Sequence, residues 1–271
     1  MSSQSDGTSA TLRVFGGQVR WLRTEAGLTR AELGDRIDYS ESMVSAVEQG
    51  RRIPKQDFID RADTVLGARG LLKAAAPFLA QERYPSWFQD FALLEAEAVS
   101  MYLYANQTVP GLLQTEGYAR AVIAARCPPL DDEEIETRVA ARIDRQSVLI
   151  RKPAPVLGFV IEEVVLQRPI GGPGSMKDQL HRLLDCGSMR NVSLQVMPTR
   201  RETHSGLDGP MVLLETPERR SLAYVEGQSG SFLISDRDEV SVLTQRYGII
   251  RAQALSPEES ASLIERLAGE L

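Results

Sequence analysis

The sequence predicts a mainly α protein with a smaller α/β part, in which a small helical head precedes a larger α/β body. Three observations predict it. From Leu12 to Leu66 apolar residues recur at helical spacing, strand-like runs begin only after Pro155, and 271 residues exceed what one hydrophobic core usually fills. The boundaries expected are a disordered N-terminus at 1–11, a head at 12–74, a linker at 75–86 and a body at 87–271.

A hydrophobic fraction of 42% and a charged fraction of 25% are those of ordinary globular proteins. No stretch reaches the roughly 18 to 20 apolar residues of a membrane span, and the opening residues lack a secretion signal. No membrane association and a cytoplasmic location are therefore expected. Cys127 and Cys186 stand 59 positions apart, neither a disulfide framework nor a metal-ligand spacing, and read as reduced apolar side chains. No metal or cofactor is expected. The net charge of -6 excludes a chain that coats nucleic acid over its whole surface, but from Ala10 to Gly70 ten Arg and Lys meet nine Asp and Glu. The acidity lies in the body.

In the head, Phe15, Val19, Leu22 and Ala26 fall on one helical face that Gly27 closes. The adjacent Gly16 and Gly17 imply close packing or a ragged start. Thr29 caps a short helix carrying Leu33 and Ile37 inward. A turn at Asp38-Tyr39 leads to a second cap, Ser40, and to a helix from Glu41 to Gln49 whose inner stripe is Met43, Val44 and Val47. Two short capped helices joined by three or four residues have the geometry of a helix-turn-helix. Gly34 sits where the pair cross, and a larger side chain there would push them apart.

Gly27-Leu28-Thr29, Ala31-Glu32-Leu33, Ile37, Ser40, Val44-Ser45 and Glu48-Gln49-Gly50-Arg51-Arg52 with Pro54 resemble the repressor-type helix-turn-helix family of the lambda and 434 repressors and the xenobiotic-response-element group. Asp38 replaces that family's usual turn glycine, and aspartate tolerates the left-handed conformation better than most residues. A further helix from Lys55 to Leu66 completes the bundle as in that family, so the resemblance implies a five-helix-type repressor head. It also implies that the second helix of the pair enters the major groove of double-stranded DNA. By that likeness Ser40, Glu41, Ser42, Ser45 and Ala46 face bases, while Arg23, Thr29, Arg30, Gln49, Arg51, Arg52 and Lys55 are candidates for phosphates. Glu41 fits two roles equally, an acceptor for cytosine N4 or an acid favoured by the helix dipole.

In the body, helical spacing runs from Trp87 to Tyr104 through Phe88, Phe91, Leu94, Ala98 and Met101, then from Glu116 to Ala125 and from Asp131 to Arg151. The last is read as a solvated amphipathic helix packed by Ile135, Val139 and Ile143, its acids leading and Arg138, Arg142, Arg145 and Arg151 following. Val156–Ile161 and Val192–Val196 are strands around a helix at Ser175–Met189, which suggests a parallel pair. Met211–Leu214 and Leu222–Val225 are two further strands, and helices at Asp236–Ala254 and Pro257–Leu271 close the chain.

Glu95 with Ala98, Val109-Pro110-Gly111-Leu112-Leu113-Gln114-Thr115, Tyr118-Ala119, Arg142, Arg145-Gln146, Glu162, Gln179-Leu180, Gln195-Val196-Met197-Pro198 and Tyr224-Val225-Glu226 resemble the uncharacterised domain that follows the helix-turn-helix in actinobacterial regulators of the WhiJ-like type. That resemblance implies partnership with a small actinobacterial regulatory protein encoded nearby. His181 and His204 lack the neighbours of a catalytic or metal site, and Gly171-Gly172-Pro173-Gly174 lacks the Lys-Ser/Thr of a phosphate loop, so no enzyme is expected. Glu162, at the end of an apolar strand, and Tyr224 and Glu226, on one face of another, are the candidates for a ligand or partner site.

The expected function is a homodimeric, sequence-specific transcriptional repressor, since one head reads a half-site and two-fold operators mirror protein symmetry. A ligand-gated regulator and an antitoxin-like protein are the alternatives.

Overall fold

A computed structural model describes residues 10–81, 86–228 and 230–271. The chain is mainly α with a smaller α/β part and divides into two compact units, up to Gln89 and from Asp90 onward. Among the described residues no helix is long and apolar enough to cross a membrane.

The first unit contains α1 (Ala10–Glu25), α2 (Arg30–Ile37), α3 (Glu41–Glu48), α4 (Gln56–Val65) and the short α5 (Leu71–Ala74) and α6 (Ala76–Gln81). Residues 1–9 of the expected disordered terminus lie outside the described residues, whereas Ala10 and Thr11 already open α1. The stretch read as a linker is helical from Ala76 to Gln81, and 82–85 again lie outside the described residues. Phe15, Val19, Leu33, Ile37, Val44, Val47 and Phe58 form one buried core, the inner stripes that the apolar spacing placed together.

Local chemistry sets each boundary. Gly27 takes φ +68, and the Leu28 N–H donates back to the Arg23 carbonyl at 3.0 Å, satisfying an end that α1 would otherwise leave open. Thr29 and Glu32 form a reciprocal capping box on α2. Asp38 is left-handed at φ 63 and ψ 45, the conformation needed to turn the chain toward α3. The Ser40 hydroxyl accepts from the Met43 N–H at 3.2 Å and so caps α3.

Two glycines fix how closely the helices approach. A Cβ on Gly16 would lie 2.4 Å from the Val47 carbonyl oxygen, so α1 and α3 touch backbone to backbone there. Gly17 has open space, so only one of the two adjacent glycines is a packing requirement. A Cβ on Gly34 would lie 2.5 Å from the Tyr39 carbonyl oxygen, in the turn that launches α3. Gly34→Val is expected to cost about 1–3 kcal/mol, because backbone rather than a flexible side chain must yield. Chemical denaturation checks this, and an unchanged midpoint would contradict it.

The division falls within α7 (Ser86–Glu97), after which the second unit contains β1 (Ser100–Ala105), a 3-10 turn at Gly111–Leu113, α8 (Glu116–Ala124), α9 (Asp132–Asp144), a second 3-10 segment (Arg145–Ile150) and β2 (Val156–Glu162). It continues with α10 (Glu163–Gln167), α11 (Pro173–Gly187), β3 (Val192–Met197), β4 (Met211–Glu215), β5 (Ser221–Gly227), β6 (Gly230–Ile234), α12 (Arg237–Gln253) and α13 (Pro257–Glu270). The strands form one mixed sheet in the order β3-β2-β1-β4-β5-β6. β1, β2 and β3 run parallel, as expected for the pair flanking α11, and β4, β5 and β6 are antiparallel additions. At the β3 edge the Leu255 N–H donates to Val196 O and the Val196 N–H donates to Ser260 Oγ, both at 2.9 Å.

One helix of the sequence reading is corrected. The helix expected from Trp87 to Tyr104 stops at Glu97, and Ser100–Ala105 is a strand between β2 and β4. Ala98 and Met101 continue the helical spacing by coincidence, while Tyr102 and Tyr104 alternate with Met101 and Leu103, and pairing on both sides decides the conformation. The edge strand β6 was also not anticipated.

Candidate nucleic-acid interface

α3 presents its first turn outward because its caps and its inner stripe fix its rotation. Ser40, Glu41 and Ser42 are exposed, whereas Ser45 and Ala46 are half-buried one turn later. Ser40 and Ser42 share a hydroxyl contact at 2.9 Å, and the Gln49 side-chain amide donates to Ser45 Oγ at 3.1 Å. The Ser40 oxygen is thus engaged by the α3 backbone and by Ser42, and Glu41 and Ser42 are the exposed residues that follow it at the helix start. Arg51, Arg52 and Lys55 lie exposed in the segment after Gly50, which itself takes φ +67.

The phosphate candidates Arg23, Thr29 and Arg30 are engaged between elements or at a helix cap. Arg23 keeps 12% side-chain exposure and donates from Nε to the Glu48 carboxylate at 2.5 Å and from another nitrogen to the Leu28 carbonyl at 2.6 Å. Arg30 donates to the same carboxylate at 2.7 Å, and the Glu48 side chain is completely sealed. Thr29 is occupied by its capping box with Glu32. Burial pushes the Glu48 carboxyl up, but the two guanidinium groups outweigh it and hold it below the usual carboxylate range. Glu48 therefore ties the end of α3 to α1 and to the start of α2, a role the sequence reading did not find. Its signal was an acid directly after the inward Val47.

In the second unit the three candidate residues divide between two faces of the sheet. Glu162 is on the face shared by Tyr104, Val160 and α12, where it accepts from the Tyr104 hydroxyl at 2.6 Å and sits 3.4 Å from His204 Nε2. The Gly206 N–H donates to His204 Nδ1 at 3.1 Å, which leaves the proton of the neutral ring on Nε2, toward Glu162. Burial and this carboxylate push the Tyr104 phenol far up. Tyr224 and Glu226 lie on the opposite face, where Tyr224 stacks on Phe91 with ring centroids 4.0 Å apart. Glu162 therefore does not join them in one site.

Around Tyr224 and Glu226 the structure gathers residues that were read as a solvated helix face. Arg145 grips the Glu95 carboxylate with two bonds, at 2.6 and 2.8 Å. Arg142 donates to Gln114 Oε1 at 2.9 Å, and Gln114 in turn donates to the Val109 carbonyl at 2.7 Å. Gln179 accepts from the Thr115 N–H and donates to Leu113 O, each at 2.7 Å, so buried amides clamp both sides of the Val109–Thr115 segment. The amphipathic face of α9 is thus corrected. Arg142, and Arg145 just past its end, turn into the fold, because Gln114 and Glu95 offer acceptors that periodicity cannot see.

Set beside known families, residues 14–76 match a family model described as a helix-turn-helix domain. That match, with an exposed capped α3, places the chain in the class of helix-turn-helix DNA-binding regulators. Residues 88–266 match the Domain of unknown function (DUF5753), about two thirds of the chain, and the protein belongs to that family. Searches of curated proteins and of solved structures returned no match.

Proposed function

We propose that the chain is a sequence-specific transcriptional repressor working in the cytoplasm as a homodimer, with a head at 12–74, a linker at 75–86 and a body at 87–271. The reading rests on one observation, the outward first turn of α3 held on a backbone-close α1–α3 contact. In this reading Glu41, Ser42, Ser45 and Ala46 meet base edges, with Ser40 at the helix start. Gln49, Arg51, Arg52 and Lys55 meet phosphates, while Arg23 and Arg30 chiefly hold α3 in place and Thr29 caps α2. A single head reads one half-site, so two copies related by a two-fold axis supply the full operator. The body, by its resemblance to the WhiJ-like type, dimerises and takes a small actinobacterial regulatory protein encoded nearby.

The test is Ser42→Glu, at an exposed position, with Ser45→Glu, at a half-buried one. Two lost or repelled contacts at about 1–3 kcal/mol each predict an affinity drop of roughly 100-fold for the operator, with an unchanged melting temperature. Gel shift on duplex selected by the wild-type protein reads it, and undiminished binding by the variant would reject α3 as the reader. A second reading, regulation by a small ligand held in the body, is favoured by the surroundings of Arg142.

A further inference from the structure

Buried guanidinium groups are ordinarily matched by a carboxylate, and Arg145 shows this protein doing so with Glu95. Arg142, three residues earlier, is different. Within the described residues its one hydrogen bond goes to the neutral amide oxygen of Gln114, itself buried, and no carboxylate pairs with it. Glu226 and Glu95 attract it only from a distance, while Arg145 and Arg126 repel it. Arg142 is closely surrounded by protein yet only half-buried, so it keeps partial contact with solvent. A Cβ added to Gly111 would meet its aliphatic stem and Nε at 3.7–3.9 Å, so that glycine leaves the side of the arginine uncrowded.

We propose that Arg142 anchors a site for a small-molecule carboxylate on the sheet face that carries Tyr224 and Glu226. A planar carboxylate matches the guanidinium fork with two parallel bonds, which no point charge or neutral amide does. Gln114, fixed by its own bond to Val109, holds one arm of the fork and leaves the rest for the ligand. Burial, and then the neighbouring Arg145, lower the pKa of Arg142 to about 10, so it stays charged at neutral pH with no carboxylate hydrogen-bonded to it among the described residues, and an incoming anion relieves that cost. Because only part of Arg142 reaches solvent, a small molecule meets it more readily than a flat protein surface does. Glu226, exposed and acting on Arg142 through space, opposes the anion and tunes the affinity. This assignment deepens the ligand-gated reading and is independent of DNA recognition, which gel shift reports separately.

The experiment titrates sodium acetate into the full-length protein at constant ionic strength made up with sodium chloride, with inorganic phosphate as a parallel arm. Calorimetry and the melting temperature are read together. Saturable acetate binding, roughly millimolar for so small a probe, is expected in the wild type and at least tenfold weakening in Arg142→Gln. Glu226→Gln, at an exposed position, is expected to bind acetate severalfold more tightly, and it decides the matter if Arg142→Gln does not fold. No saturable effect beyond chloride, an equal response in Arg142→Gln, unchanged affinity in Glu226→Gln, or a preference for phosphate over acetate would each overturn the assignment.

Discussion

Glu48→Ala is expected to destabilise the helix-turn-helix by about 3–5 kcal/mol, because removing one member of a buried ion cluster leaves the others charged and unpaired. Arg23, with 12% of its side chain exposed, would lose two bonds and face Arg30 without the carboxylate that now separates them. Glu48→Gln keeps an acceptor and is expected to cost less. The same carboxylate makes stability pH-dependent with a definite sign. Its folded value is depressed below the ordinary 4.5, so its contribution is fully present above about that pH and is lost as pH falls through the lower folded value. Hydrogen exchange of peptides from α1 to α4 reads the local effect. Alanine and wild type exchanging alike at pH 7 would contradict it. Since Glu48 also holds α3 against α1 and α2, the alanine variant is expected to lose operator affinity without altering any exposed residue.

A comparable loss, again about 3–5 kcal/mol, is expected for Arg145→Met in the second unit. Its partner Glu95 keeps only 3% side-chain exposure and accepts both arms of the guanidinium, so the variant leaves a buried carboxylate without its hydrogen-bonded partner. Arg145→Met combined with Glu95→Met removes both charges, and that double variant is expected to recover most of the stability. The comparison separates a buried-charge penalty from simple loss of packing. If the double variant is less stable than Arg145→Met, the network acts through shape rather than charge.

Much of the head was legible because its determinants are local. Thr29, Ser40 and Gly27 act within a turn of their own position, and Asp38 declares a left-handed turn by its side chain. Interactions between distant segments were not legible. Glu48 meets Arg23 and Arg30 from 25 and 18 residues away, whereas the resemblance to repressor-type heads makes both arginines phosphate candidates. The body shows the same limit. Ser100–Ala105 carries a pattern that fits helix or strand until β2 and β4 flank it, and strand order, which puts Glu162 and Tyr224 on opposite faces, is a property of the whole sheet. Arg142 and Arg145 satisfied a helix dipole on paper, but their acceptors come from the Val109–Thr115 segment and from α7.

The central claim is that α3 lies in the major groove and that two heads read one operator. Methylation protection of guanine N7, an atom exposed only in that groove, on duplex bound by the full-length protein tests it most directly. The prediction is two protected clusters about one helical turn, roughly 34 Å, apart or a multiple of it, both lost with Ser42→Glu and Ser45→Glu. Tight binding that leaves every guanine N7 reactive, or protection that survives in that variant, would contradict it.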